Sequence, residues 1–202
     1  MRVLVVGATG TIGSAVADAL EARSHEVVRA SSSHGNPRVD IGTPASIDAL
    51  YGRIGPLDAV VCAAGIAQFG ALEDLDDQDF ETSIENKLMG QVNLVRKGLA
   101  VVAAGGSFTL TSGGLSQNPD EGTVAVSMVG AAVEAFARAA ALDLAGRYRV
   151  NVVSPGWVAE SRVKAGLDPM PGIWAKDLAE YYVDLVEGDR TGNVVSAEKA
   201  KA

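Results

Sequence analysis

Seven residues near the amino terminus, Gly7-Ala8-Thr9-Gly10-Thr11-Ile12-Gly13, constrain this chain more than any other stretch. They follow a short aliphatic run, residues 3–6, and lead into a helical pattern over residues 12–20. Three glycines at a strand-to-helix turn allow a tight reversal, close backbone approach to a bound group, and close packing of helix on strand. The helix then begins with free N–H groups and positive potential, which suits a pyrophosphate. Gly7, Thr9, Gly10, Thr11, Ile12 and Gly13 are therefore candidate dinucleotide contacts.

The rest of the chain repeats strand and helix. Strands are expected over residues 26–30, 38–41, 57–63, 107–111, 149–153 and 193–195, and helices over 44–51, 80–103, 124–144 and 176–187. In the helix over 80–103, Ile84, Leu88, Val92, Val95, Leu99 and Val102 form one apolar stripe expected to face the sheet. Strands separated by helices and lacking hairpin turns need parallel crossovers. The expected fold is α/β, a single-domain Rossmann-type doubly wound parallel sheet with helices on both faces, occupying residues 1–202.

Composition narrows the function. The formal net charge of −8 and the lack of a Lys/Arg run argue against a nucleic-acid partner. One cysteine, Cys62, permits no intrachain disulfide and too few soft ligands for zinc, so no metal is expected and a reducing cytoplasm fits. The amino terminus reads as lacking a signal peptide, and no stretch is expected to span a membrane.

Cofactor choice is read after the second strand, where a carboxylate would bind the ribose hydroxyls and Arg or hydroxyl donors would accept a 2′-phosphate. This chain places Arg29, Ser31, Ser32, Ser33 and His34 there, with no carboxylate before Asp40. NADP is favoured over NAD, the alternative being a solvated polar loop without influence on the cofactor.

Several ordered motifs resemble the short-chain dehydrogenase/reductase family over nearly the whole chain. Besides the glycine turn, they are Asp40-Ile41, Cys62-Ala63-Ala64-Gly65, Thr109-Leu110-Thr111-Ser112-Gly113 and Asn151-Val152-Val153-Ser154-Pro155-Gly156. The resemblance implies that Asp40 and Ile41 touch the adenine. It makes Ala63, Ala64 and Gly65 cofactor contacts, with Gly65 shaping the wall beside the adenosine, and places Pro155, Gly156 and Val158 near the nicotinamide. It also implies a homodimer or homotetramer formed through the two long central helices, and the alanine-rich residues 131–132 and 135–141 of the second would permit close packing.

One departure stands out. The family's proton-delivering Tyr, about 13 residues after the serine, and the Lys four further on fall here at Ala125 and Val129. None of the four tyrosines lies on that helix. Counting back from Gly90 to the family's active-site Asn reaches Lys87, at the edge of the apolar stripe. There, burial would lower its pKa and let it act as acid or hold a carbonyl oxygen. The alternative is a lysine whose stem packs while its ammonium stays in water. Ser112 either hydrogen-bonds a substrate oxygen or simply ends its strand. Trp157, Met170, Ile173 and Trp174 form either a small apolar lid or core and subunit contacts.

The chain therefore reads as a divergent NADP(H)-dependent oxidoreductase acting on a small or medium carbonyl or imine, with Ser112 and Lys87 at its catalytic centre. Two alternatives remain: a silent NADP(H)-binding sensor or scaffold, and a non-redox enzyme on the same fold.

Overall fold

Alternation along the first strand decides the layering. In a computed structural model describing residues 1–35 and 37–198, β1 (Arg2–Val6) sends Val3 and Val5 to one face of the sheet and Leu4 and Val6 to the other, all buried. A strand apolar on both sides needs helices on both sides. The order is β1, α1 (Thr11–Ala22), β2 (Glu26–Ala30), α2 (Pro44–Ile54), β3 (Leu57–Cys62), α3 (Asp77–Ser83), then a π-helical turn (Ile84–Met89) and α4 (Gly90–Gly98). There follow β4 (Val102–Thr111), a short 3₁₀ turn (Gly114–Ser116), α5 (Val124–Asp143), β5 (Arg149–Pro155), α6 (Ala159–Lys164), α7 (Ala175–Glu187) and β6 (Val194–Ala197).

All six strands pair in parallel in the order β2-β1-β3-β4-β5-β6. Helices α1 and α7 pack together over Val3, Val5, Ala59 and Val61, while α2, α4 and α5 cover the face of Leu4, Val6, Phe108 and Leu110. The order reverses between β1 and β3, so a crevice opens at their carboxyl ends, where ligands of such sheets bind. The expected doubly wound α/β architecture is the one observed.

Two expectations need correction. Residues 38–41 form no strand: only one parallel bridge joins Ser31 to Arg38. Asp40 then turns the chain by accepting from the Gly42 N–H and the Thr43 hydroxyl, which leads it off the sheet edge into α2. Residue 36 of the polar loop lies outside the described residues.

The expected stripe on residues 80–103 breaks at the π turn. Its wider coil holds an extra residue, and each residue is worth about 100° of helical phase. Ile84 is consequently exposed, and the buried face of α4 carries Gly90, Gln91, Asn93, Leu94, Val95 and Gly98. The helix also ends at Gly98, and Val102 already belongs to β4.

By length and composition alone α5 is apolar enough to cross a membrane, with a mean hydropathy of 1.5. It lies against β5 with Val129, Val133 and Ala137 buried, and it carries a buried carboxylate, Glu134.

Candidate functional site

The glycine turn is held at both ends. Gly7 and Ala8 N–H groups both donate to the Ala30 carbonyl at the end of β2, and Gly10 N–H closes onto the Gly7 carbonyl at 2.9 Å. No side chain caps α1, and Ser14 is the first residue to donate back along the helix, to Gly10. The N–H groups of Thr11, Ile12 and Gly13 are therefore directed out of the helix end. A Cβ on Gly13 would sit 2.1 Å from the Gly7 carbonyl oxygen, which fixes glycine at that position.

Across the crevice, the Ala63 N–H donates to the Val6 carbonyl, placing residues 63–65 beside the turn. Gly65 adopts φ +144°, and its absent side chain leaves room for Lys87, whose Cδ would lie 2.5 Å from a Cβ there. The Lys87 stem thus lies across the loop that follows β3. Asn86 ties the two segments together by accepting from the Ile66 N–H at 2.8 Å.

Lys87 and Ser112, distant in sequence, line one cavity of about 180 Å³ together with Gly65, Phe69, Gly113 and Val126. Burial pushes the Lys87 ammonium below the ordinary lysine value. Among the described residues its Nζ has no hydrogen-bond or ion-pair partner. Cys62, fully buried nearby, has its thiol pushed up to about 11 by burial, so it is no nucleophile at neutral pH.

Ser112 follows the end of β4, which Gln91 pins from α4: its amide donates to the Thr111 carbonyl and accepts from the Thr111 N–H, both at 2.9 Å. The Ser112 hydroxyl donates to Glu134 at 2.9 Å. Ala125 and Val129, at the Tyr and Lys positions of the family pattern, are fully buried apolar residues. Tyr182 is buried on α7 and bonds Thr111, whose own hydroxyl donates to the Cys62 carbonyl. Tyr51 and Tyr148 donate to backbone carbonyls.

A larger cavity of about 850 Å³ adjoins at Ser112, Gly113 and Val126. Pro155, Gly156, Trp157, Met170 and Trp174 form its walls, and Asp120, Asp177 and Glu198 are its charged lining groups. Trp157, Met170 and Trp174 are thus half-exposed wall residues, and Ile173 is core. Val158, bridged to Ile173, is buried behind the wall at the start of α6.

The sequence profile of a family described as enoyl-(acyl carrier protein) reductase matches residues 7–182. A fungal short-chain dehydrogenase/reductase, ucsE of Acremonium, is 30% identical over 190 residues, covering 77% of this chain and 72% of that protein. The chain belongs to the short-chain dehydrogenase/reductase family. Within it, 2,3-dihydro-2,3-dihydroxybenzoate dehydrogenase of Escherichia coli is 31% identical over 61% of this chain, a match spanning about half, 48%, of that enzyme. Among solved structures, lin1944 of Listeria innocua superposes with a TM-score of 0.93 at 36% identity, covering 98% of this chain and 99% of that one. A small-chain dehydrogenase in complex with NADPH gives 0.87 at 28% identity, covering 98% and 96%.

The remaining candidate residues of this family member fall as follows. Thr9 is exposed at the turn tip and Thr11 lies at the first helical position. Arg29 is clamped by Asp18 and Glu21, whose hydrogen bonds hold its guanidinium above the ordinary arginine value. Ser31 is buried and bonds within its own loop to His34, and Ser32 is exposed. Asp40 is exposed in its turn, and the Ile41 side chain is buried against Gly90. Among the described residues no group of three or more His, Cys, Asp or Glu side chains is placed to hold a metal.

Three residues escaped the sequence reading. Lys164, on α6, donates to the Thr11 hydroxyl at 2.9 Å and so puts a cation over the glycine turn from 153 positions away. Arg38 is exposed across the bridge from Ser31 and has no partner among the described residues. Glu134 lies under Ser112. Only Arg38 carried a usable signal, a cation close after the second strand.

Proposed function

We propose that this chain is an NADP(H)-dependent oxidoreductase that interconverts a small or medium carbonyl or imine and its reduced form. The observation that carries the reading is the meeting of Lys87 and Ser112 in one cavity, whose lining residue Gly65 belongs to the segment packed against the glycine turn. The residues fit the cofactor: the turn offers three outward N–H groups, Gly13 leaves no space for a side chain, and Lys164 supplies positive charge. When bound, the nicotinamide supplies or accepts the hydride. Lys87 then holds the carbonyl oxygen and offsets the charge that develops on it. The larger cavity, with aromatic walls and carboxylates as its charged lining, disfavours anionic substrates.

Fluorescence titration with NADPH and NADH, followed by absorbance at 340 nm against carbonyl and imine panels, tests the reading. Tight NADPH binding with turnover supports it. Binding without turnover favours the sensor or non-redox alternative, which the buried Ala125 and Val129 motivate. The exposed Met128 and Leu142 on α5 support a homodimer or homotetramer through that helix.

Two binding predictions arise here. Arg38→Ala weakens NADPH about tenfold, or about 1.4 kcal/mol, by removing the open cation beside Ser31 and Ser32, and leaves NADH unchanged. Equal losses for both cofactors would remove Arg38 from the 2′-phosphate. Lys164→Ala weakens both cofactors about three- to tenfold, with the loss shrinking at high salt because the ion pair is exposed. A salt-independent loss would point to packing instead.

A further inference from the structure

Glu134 is a carboxylate buried to 4% exposure, and among the described residues it has no cationic hydrogen-bond or ion-pair partner. Its Oε1 accepts from two hydroxyls, Ser112 at 2.9 Å and Ser116 at 2.5 Å, and Gln117 approaches the other oxygen at 3.4 Å. Ser112 lines both cavities, whereas Ser116 is half-buried on the 3₁₀ turn. The three side chains thus form a continuous hydrogen-bonded row leading from the cavity to the outer turn. A carboxylate is costly to bury unless it is well bonded, and neutral hydroxyls are weaker partners than a cation. With its proton directed at an ionised Glu134, Ser112 offers the cavity only lone pairs. With Glu134 protonated, the row reverses and Ser112 offers its O–H.

We propose that Ser112, Glu134 and Ser116 form a proton relay that does the work of the missing tyrosine, with Glu134 as a positioning and proton-storing residue acting through Ser112. The inference rests on the oxidoreductase reading above. In reduction, hydride from the reduced nicotinamide dinucleotide forms the new C–H bond. The carbonyl oxygen takes the Ser112 hydroxyl proton, and Ser112 takes the proton of the Glu134 acid. Glu134 is left as carboxylate and recovers a proton from solvent through Ser116. Oxidation of the alcohol runs the same transfers backwards.

Charged groups on the elements packed against α5 are Lys87 and Glu85 of the π turn, Asp77, Asp79 and Glu81 of α3, Arg96 and Lys97 of α4, and Arg149 of β5. Arg138 and Asp143 on α5 itself are exposed. None hydrogen-bonds or pairs with Glu134. Lys87 shares the cavity with Ser112, so its charge is the one that couples to the relay.

The test uses the full chain with NADPH and a carbonyl substrate that the wild type turns over. Glu134→Gln keeps an acceptor for both serines but stores no proton. It is expected to bind NADPH with unchanged Kd, lose about 10²- to 10⁴-fold in kcat and flatten the pH profile. Ser116→Ala is expected to slow kcat and raise the solvent isotope effect, which keeps the proposal testable where Glu134→Gln fails to fold. Wild-type kcat and pH profile in either variant overturn the relay.

A second readout needs no turnover: infrared difference spectra of the wild type against Glu134→Gln or, where that variant does not fold, ¹³C NMR of carboxyl-labelled wild type. A Glu134 carboxyl that changes protonation within the pH range of the folded protein supports the relay. One that stays in a single state overturns it. A wild type that binds NADPH and turns over no substrate overturns the redox reading, while the carboxyl titration still decides whether Glu134 exchanges a proton.

Discussion

Lys87→Ala lowers kcat/KM for NADPH-dependent carbonyl reduction about 10²- to 10³-fold and leaves the NADPH Kd within a factor of two. The magnitude is that of removing one donor aimed at a developing oxyanion. Lys87 can fill that part because its stem is laid over Gly65 and its ammonium, unpartnered among the described residues, lies at the cavity that Ser112 lines. Stability moves the other way. Burial holds the ammonium below its ordinary 10.5, so folding opposes its charge. The penalty is fully present below the folded-state pKa, where the lysine is charged folded and unfolded, and it fades as pH rises from there to 10.5. Lys87→Met therefore raises Tm at neutral pH while turnover falls, and the gain shrinks under alkaline conditions. Steady-state kinetics beside a thermal melt at two pH values checks both signs. A variant that keeps full turnover would remove Lys87 from the reaction, and one that melts lower at neutral pH would overturn the charge penalty of its burial.

Gly13→Ala is expected to abolish cofactor binding, with NADPH weakened more than 100-fold, and to cost the fold about 3 kcal/mol. The added methyl would lie 2.1 Å from the Gly7 carbonyl oxygen and 2.6 Å from its carbon, both backbone atoms with no rotamer to escape into. Overpacking of this kind costs about 1–3 kcal/mol and occasionally more. For a chain of this size it lowers Tm by roughly 6–12 °C. Gly10→Ala is the internal comparison. Its methyl would meet the Gly7 oxygen at 3.3 Å, so a few tenths of an ångström of adjustment suffice and the melt should drop far less. Equal melts for the two variants would show that the turn is looser than its geometry indicates.

These outcomes also show what local sequence can and cannot report. The glycine turn, the alternation of strands and helices and the cavity residues Lys87 and Ser112 were legible because each depends on near neighbours, on periodicity or on the family's motif order. The bounds of α2, α5 and α7 are legible to within a few residues for the same reason. The false strand at 38–41 had suitable residues, but a side chain, Asp40, redirected the backbone through bonds that no propensity describes. Lys164 and Glu134 went unseen because their meaning lies in partners 153 and 22 positions away. Within α5, an acid set among alanines reads as a solvent-facing residue until the sheet behind it is known. Arg29 drew attention by its position, while Asp18 and Glu21, on the preceding helix, already held it.

The π turn at Ile84–Met89 has a consequence for how such proteins diverge. A wide turn of this kind accommodates one residue beyond a regular α-helix, so losing a single codon there would restore the narrower coil without unravelling either flanking helix. The side chains upstream would swing by roughly a third of a revolution relative to α4. Lys87 would turn from the cavity, and a neighbour would take its place. One deletion could thus exchange the reacting side chain while the fold is kept, a faster route to new chemistry than successive point substitutions.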